Sequence, residues 1–334
     1  LKISLPSFTL PASGGYQIIR SNKQLLNLLE FLNPDRIEVS DRFTLLKVGR
    51  WAKQHKVASL VFSHETLNGL VKKYAPLIPE LVRNKFVNWH NHKLATSFDT
   101  VIATTDFAAA EFVRIKTTNL RKVALGVDLV SFRPENRDHK LRKELLRDAD
   151  YLLVHCGRMS PEKEPARSVQ AVSELVKAGI NVRLIIVGGG PLWHKIRKQS
   201  LGLPIEMLGY VASRGKVASY LAAADIAIAP GPLETFCLSA LESLASGTPV
   251  VASKSSAVGE ILNINSMKPA GAVASDNGAE FAIAIRQLLN KGRLRKVARE
   301  QAEKFSWANT VDAMLDVHGA KQPMVTTKRR LKVA

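Results

Sequence analysis

The segment "PGPLETFCLSALESLASGTPVV" (230–251) sets two carboxylates, Glu234 and Glu242, eight positions apart. Helical periodicity begins around Phe236, after a Pro-Gly-Pro turn, and Gly247 marks its stop. Eight residues of helix span about 12 Å. That is the separation of the ribose and the hexose in an extended nucleotide-sugar, so each carboxylate could accept hydrogen bonds from hydroxyls at one end. The free N–H groups of Phe236, Cys237 and Leu238 would then face the sugar and the phosphate. The same spacing also suits a helix-start acid favoured by the dipole together with an unrelated surface glutamate.

Cations stand in a second segment, "HCGRMSPEKEP" (155–165). An apolar run ends at Gly157, and Arg158 and Lys163 follow before a helix. A forked guanidinium, a point-like ammonium and helix N–H groups suit a diphosphate, although a charged surface loop would read the same way. A third segment, "IIVGGGP" (185–191), runs a strand into three glycines that allow a flat or phosphorylated group to approach the backbone. It is not a G-x-G-x-x-G fingerprint and lacks a suitably placed ribose acid, which disfavours a nicotinamide cofactor. "DAD" (148–150) has the form of a metal-binding pair but sits in a charged stretch ahead of a strand, and is read as a decoy.

These segments need a scaffold that repeats strand, loop, helix. "RIEVS" (36–40), "ASLVFS" (58–63), "TVIAT" (100–104) and "KVALG" (122–126) read as strands, with helices at 22–32 and 44–56. After a charged stretch at 133–150 the rhythm restarts with strands at 151–157, 182–190, 205–210, 226–230 and 249–253. Helices at about 164–178, 191–200, 214–223, 236–246 and 278–290 separate them. Alternation of this kind implies α/β architecture with parallel sheets covered on both faces. Two series predict two doubly wound domains joined near 133–150, with the ligand cleft between them at the carboxyl ends of the strands. A last helix is expected at 305–318, then a basic tail ending "KRRLKVA" (328–334).

The 334 residues suffice for two domains, and no apolar run approaches a membrane span. No signal peptide is evident at the start. Forty-eight Lys and Arg against 29 Asp and Glu give a net charge of +19, which favours an anionic partner. Residues 71–93 hold Lys72, Lys73, Arg83, Lys85 and Lys93 against Glu80 alone, either as a solvated helix face or as a surface for anionic membrane. No zinc-finger spacing, RNP motif or basic helix with interleaved aromatics points to nucleic acid. Cys156 and Cys237 lie in apolar segments without metal-ligand spacing and read as buried, reduced thiols of a cytoplasmic protein.

"ETFCLSALESLASGTPVVA" (234–252) resembles the Glu-x7-Glu signature of retaining glycosyltransferases of family GT4, which have the GT-B architecture of two Rossmann-like domains facing a cleft. "GRMSPEK" (157–163), "VALGVDLVSFRP" (123–134), "SSAVGEIL" (255–262) and "FSW" (305–307) are similar to further segments of that family. Cys237 stands where the family usually has Gly, and Leu125 where it has Asn. The family's first strand and its glycine-rich loop are not evident, "SGG" (13–15) being a poor substitute, so the chain is expected to begin after them. "SGGYQIIRSNKQLLNLLEFLNPDRIEVSDRFTLLKVGRWAKQHKV" and "FSHETL" resemble actinobacterial GDP-mannose-dependent α-mannosyltransferases that act on glycolipids.

The resemblance implies an acceptor-side domain over 1–135, completed by a helix at 308–320, a nucleotide-sugar domain over 150–306, and a tail at 321–334. It implies that Arg158 and Lys163, after Gly157, hold the donor diphosphate, that Glu234 binds the transferred sugar, and that Glu242 binds the ribose. Backbone at Thr235, Phe236, Cys237 and Leu238 would meet sugar and phosphate. Gly189, Tyr210 and Val211 would meet the base. His64 corresponds to the cleft histidine beside the sugar. Asp41 and Arg42, closing another strand, are acceptor-side candidates. The implied reaction moves a hexose, mannose from GDP-mannose, onto a glycolipid at the inner face of the cell membrane, with protein cations in place of a metal and no resident cofactor. A soluble sugar or sugar-phosphate acceptor is the alternative.

Overall fold

The computed structural model describes residues 2–9, 17–291 and 294–319. "SGG" (13–15) and the tail at 321–334 lie outside these. A short antiparallel ribbon, β1 (Ser7–Thr9) against β2 (Gln17–Ile19), comes first. A parallel sheet follows with β3 (Arg36–Val39), β4 (Ala58–Ser63), β5 (Thr100–Ala103) and β6 (Leu120–Lys122) side by side in chain order. A second parallel sheet is built from β7 (Tyr151–Cys156), β8 (Val182–Val187), β9 (Ile205–Gly209), β10 (Ile226–Ala229), β11 (Val250–Ser253) and β12 (Gly271–Ala274). Its order is β12-β11-β10-β7-β8-β9.

The inner strands form where the sequence is continuously apolar, because both faces are covered there, whereas the edge strands β3 and β6 carry exposed Arg36, Glu38, Arg121 and Lys122. β10 and β11 are buried at every position, as parallel packing between helices demands. Helices start at side chains that accept from the first free N–H groups, such as Thr105 from Ala108 (3.1 Å) and Asn277 from Glu280 (3.0 Å). Leu152, Val154, Ile185, Leu241 and Leu244 share one core of the second lobe, and Leu153, Leu184, Ile186, Val251 and Phe281 the other. Val39, Trp51, Val61, Leu94, Phe98 and Phe112 form the core of the first lobe.

Among the boundaries that differ from the sequence reading, two lie where the lobes join. The strand expected at 122–126 ends at Lys122, because the following segment runs against the returning chain. Val127 N donates to Phe305 O (2.9 Å), and a Cβ on Gly126 would lie 2.4 Å from Trp307 N. The charged stretch at 133–150 is not a bare joint. It contains the helix His139–Leu146, capped by Asp138, and Arg137 and Arg142 both pair with Asp225 of the second lobe (3.3 and 2.9 Å). The last described helix, Trp307–Val317, lays Ala313, Met314 and Val317 on Leu60, Ile102 and Val123 of the first lobe.

Candidate active site

In the second sheet the chain moves from β7 outward to β8 and β9, then crosses back to β10 on the other side of β7. Ligands of such sheets bind outside the carboxyl ends of the strands where the order reverses. The reversal falls between β7 and β10, and a cavity lies there, lined by His155, Gly157, Lys163, Gly231, Glu234 and Cys237 among others. Lys163, in a short 3-10 turn after β7, and Glu234, in the turn after β10, meet at 2.6 Å (Nζ to Oε1). Burial opposes the ammonium charge, but Glu234 beside it outweighs this and holds the Lys163 pKa above its ordinary value. His155 beneath them is buried and bonded through Nδ1 to Ser168 Oγ (2.8 Å). Burial, then Lys163, lower its pKa to about 4, so it stays neutral at neutral pH. Arg158 lies on the exposed loop that leaves Gly157.

The three glycines after β8 divide the work. Gly188 (φ +138°) and Gly190 (φ +148°) are there for the chain's own packing. A Cβ on Gly188 would lie 1.9 Å from Gly157 O, and one on Gly190 2.7 Å from Met159 O. Only Gly189 faces an ordinary distance, 3.8 Å to Tyr210 Cβ, and Tyr210 is exposed beside it. Val211 packs partly into the core.

The helix after Glu234 is Leu238–Ala245, starting two residues later than its periodicity suggests. Cys237 takes a left-handed conformation (φ 71°, ψ 77°), which delays the start and accounts for glycine being usual there. Its thiol is buried at the cavity wall, which raises its pKa to about 12. Phe236 is turned into the core, edge-on to Phe305. Among the described residues, the N–H groups of Leu238 and Ser239 have no protein acceptor and open this helix, as first-turn donors do. Glu242, two turns in, accepts from Arg214 (3.0 Å). Burial raises its pKa, with Arg214 opposing.

The opposite wall comes from the carboxyl ends of β4 and β5. Thr235 Oγ1 donates to the carbonyl of His64, and Thr105 and Thr104 donate to the Thr235 carbonyl (2.8 and 3.2 Å). Thr235, expected at the donor, thus spends its side chain and carbonyl on the lobe junction. The His64 ring stacks on Phe62, and burial lowers its pKa. Lys73 pairs with Glu164 across the same gap. Glu260 of the second lobe caps the helix Asp106–Arg114 of the first, accepting from Asp106 N (2.8 Å) and Phe107 N (2.6 Å). The sequence reading missed Thr104, Thr105 and Glu260. Only the position of the threonines after a strand could have signalled them.

Arg42 needs correcting. It does not face the cleft, being 1% exposed beneath it. It donates to Ser63 Oγ (2.8 Å), to the Glu65 carbonyl (2.5 Å) and to Asn91, and lies 3.9 Å from Glu111. A guanidinium taken out of water needs such partners, and all of them are on its own lobe. Asp41 accepts from Phe43 N (2.7 Å), Thr44 N (3.0 Å) and the Thr44 hydroxyl, so its carboxylate closes its own turn. Asp148 and Asp150 serve the start of β7 through backbone contacts with Asn181. Among the described residues no group of three His, Cys, Asp or Glu side chains is placed to hold a metal ion.

Comparison with known proteins places this geometry. The family model "Glycosyl transferases group 1" matches residues 136–305. The chain is 42% identical over 322 residues to a GDP-mannose-dependent alpha-(1-6)-phosphatidylinositol dimannoside mannosyltransferase of Mycobacterium tuberculosis, covering 96% of this chain and 82% of that protein. A D-inositol 3-phosphate glycosyltransferase of Saccharomonospora viridis is 32% identical, over 66% of this chain and 55% of its own length. Anabaena HepE, solved with UDP-glucose, superposes with a TM-score of 0.73 at 18% identity, covering 90% of this chain and 82% of HepE. The fold is the GT-B arrangement of two Rossmann-like domains. With Lys163 and Glu234 paired at the switch point of the second domain, this chain belongs to the group 1 glycosyl transferases.

Proposed function

We propose that this glycosyltransferase moves a mannosyl residue from GDP-mannose, with retention, onto a phosphatidylinositol mannoside at an anionic membrane surface. The observation that carries the reading is the Lys163–Glu234 pair in the β7–β10 crevice, in a chain so similar to a mycobacterial enzyme of that name. Arg158, Lys163 and the free N–H groups of Leu238 and Ser239 hold the donor diphosphate. Glu234 takes the hexose, Glu242 the ribose, and Gly189 with Tyr210 and Val211 the base.

As the bond from the anomeric carbon to phosphate breaks, negative charge grows on the diphosphate and positive charge on the sugar. The two cations and the helix N-terminus stabilise the former without reorganising. The acceptor hydroxyl attacks from the leaving group's face, its oxygen bonds to the anomeric carbon, and its proton passes to the departing phosphate oxygen. His64, kept neutral by burial, positions the sugar without adding charge that would oppose the cationic centre. Protein cations fill the place a metal takes elsewhere.

A surface on the first lobe supports a lipid acceptor. The helix Glu80–Ser97 turns Leu81, Val82, Phe86 and Trp89 outward, with Lys85 and Lys93 among them. At 100° per residue these six fall within about 140° of arc. Leu77, just before, is 95% exposed. An apolar face studded with lysine suits the headgroup boundary of an anionic bilayer. No helix among the described residues is long and apolar enough to cross a membrane.

The test is transfer of radiolabelled mannose from GDP-mannose to phosphatidylinositol dimannoside in vesicles, beside UDP- and ADP-sugars and soluble sugar acceptors. Transfer to a soluble sugar phosphate alone would replace the lipid reading, and failure to bind any nucleotide-sugar would end the whole.

A further inference from the structure

With Asp41 and Arg42 engaged inside their own lobe, the acceptor wall needs another polar group, and one stands beside His64. Glu65 lies in the loop at the carboxyl end of β4, between His64, whose carbonyl takes the Thr235 hydroxyl, and the helix Leu67–Tyr74. That helix abuts the second lobe, since a Cβ on its Gly69 would lie 2.6 Å from Leu233. Glu65 therefore lies in a loop at the junction of the lobes.

Its side chain is half-buried, and among the described residues its carboxylate accepts no hydrogen bond and has no cation within ion-pair distance. The neighbours that could satisfy it do not. The Arg42 terminal nitrogens go to Ser63, to the Glu65 backbone carbonyl and to Asn91, and its buried Nε, though unpartnered, bonds no carboxylate oxygen. The Asp41 oxygens close a turn. Burial and nearby Asp41 push the Glu65 pKa up, with Arg42 opposing. A carboxylate that only solvent reaches, with no donor from the fold, is available to a substrate hydroxyl. Among the described residues no three-ligand cluster favours a metal ion here instead.

We propose that Glu65 binds the acceptor, its carboxylate accepting a hydrogen bond from a hydroxyl of the acceptor's sugar or cyclitol headgroup and so orienting that headgroup toward the donor. This rests on the transferase reading above. Its class of ligand is an uncharged polyol surface, distinct from the diphosphate that Lys163 meets.

The experiment compares wild type, Glu65→Gln and Glu65→Ala with GDP-mannose and phosphatidylinositol dimannoside. Four quantities are read: acceptor KM, affinity for GDP-mannose, the slow donor hydrolysis seen without acceptor, and the melting temperature. Acceptor KM should rise roughly tenfold in Glu65→Gln and further in Glu65→Ala. Donor affinity and hydrolysis should stay within about twofold, and the melting temperature should change by no more than a few degrees, because the burial cost removed is offset by the lost attraction to buried Arg42. An unchanged acceptor KM overturns the inference. So does a parallel loss of donor affinity and melting temperature, which would mark Glu65 as structural. A wild-type chain that fails to bind GDP-mannose would overturn the transferase reading itself, and this inference with it.

Discussion

Lys163 Nζ lies 2.6 Å from Glu234 Oε1, so the cation assigned to the donor diphosphate and the carboxylate assigned to the hexose are already partners. The carboxylate is the more buried of the two, at 12% exposure against 35%. Binding a donor then means sharing this pair. Lys163→Ala strands Glu234 without its cation, and Glu234→Gln frees Lys163 while removing the sugar contact. Each change should lower kcat/KM by orders of magnitude, and the double variant should lose less than the sum. A coupling of about 1–3 kcal/mol in a double-mutant cycle is expected, read from initial rates with GDP-mannose. Strict additivity would separate the two roles.

Glu242 pits stability against function. Burial raises its pKa, with Arg214 opposing only from an exposed position. An acid whose folded pKa is raised holds its proton longer in the native state than in the unfolded one. Stability therefore falls as pH climbs from the ordinary glutamate value of about 4.3 through the raised one, and the ionised carboxylate is a net cost above that window. Glu242→Gln should raise the melting temperature at neutral pH and flatten its acid dependence. The same variant should weaken GDP-mannose binding by roughly 10- to 100-fold, the worth of a charged hydrogen bond. Thermal scans from pH 4 to 8 beside calorimetry check both halves.

The glycine triplet should separate fold from ligand. Gly188→Ala forces a side chain into φ +138° and to 1.9 Å from Gly157 O, where backbone must move. A loss above about 3 kcal/mol is expected, visible as lost soluble protein or a collapsed urea midpoint. Gly189→Ala meets only Tyr210 Cβ at 3.8 Å. It should hold stability within about 0.5 kcal/mol and instead raise the Kd for GDP, since the added methyl points to where the base is assigned.

Much of this was legible in the sequence because buried parallel strands are written as unbroken apolar runs, and the strands read at 151–157 and 182–190 form, the second stopping at Val187 before its glycines. The helix 278–290 was legible from its periodicity. What escaped depends on contacts between distant segments. No local pattern says that Gly126 must make room for Trp307, or that Cys237 will turn left-handed and delay its helix. Arg42 looked available because it follows a strand end. Only the fold reveals that Asn91 and Glu111, from two other helices, enclose it.

Glu260 is the clearest of these long-range devices, a carboxylate of one lobe capping a helix of the other. It accepts from the amides of Asp106 and Phe107, while Thr105, in the same lobe as the helix, caps Ala108 independently. The helix therefore keeps one cap when Glu260 is lost, and the contact that goes is the one between lobes. Glu260→Ala should cost about 1.5–3 kcal/mol of that docking, the usual worth of hydrogen bonds to a charged group. Hydrogen exchange at the amides of Asp106 and Phe107 should quicken by one to two orders of magnitude, about the same free energy, while amides later in the helix stay protected. GDP affinity should hold within about twofold because the β7–β10 crevice is untouched, whereas mannosyl transfer, which needs both walls together, should slow. If exchange at Asp106 and Phe107 is unchanged in Glu260→Ala, the capping contact does not hold the lobes. If the whole helix loses protection, Glu260 secures the helix itself rather than the junction.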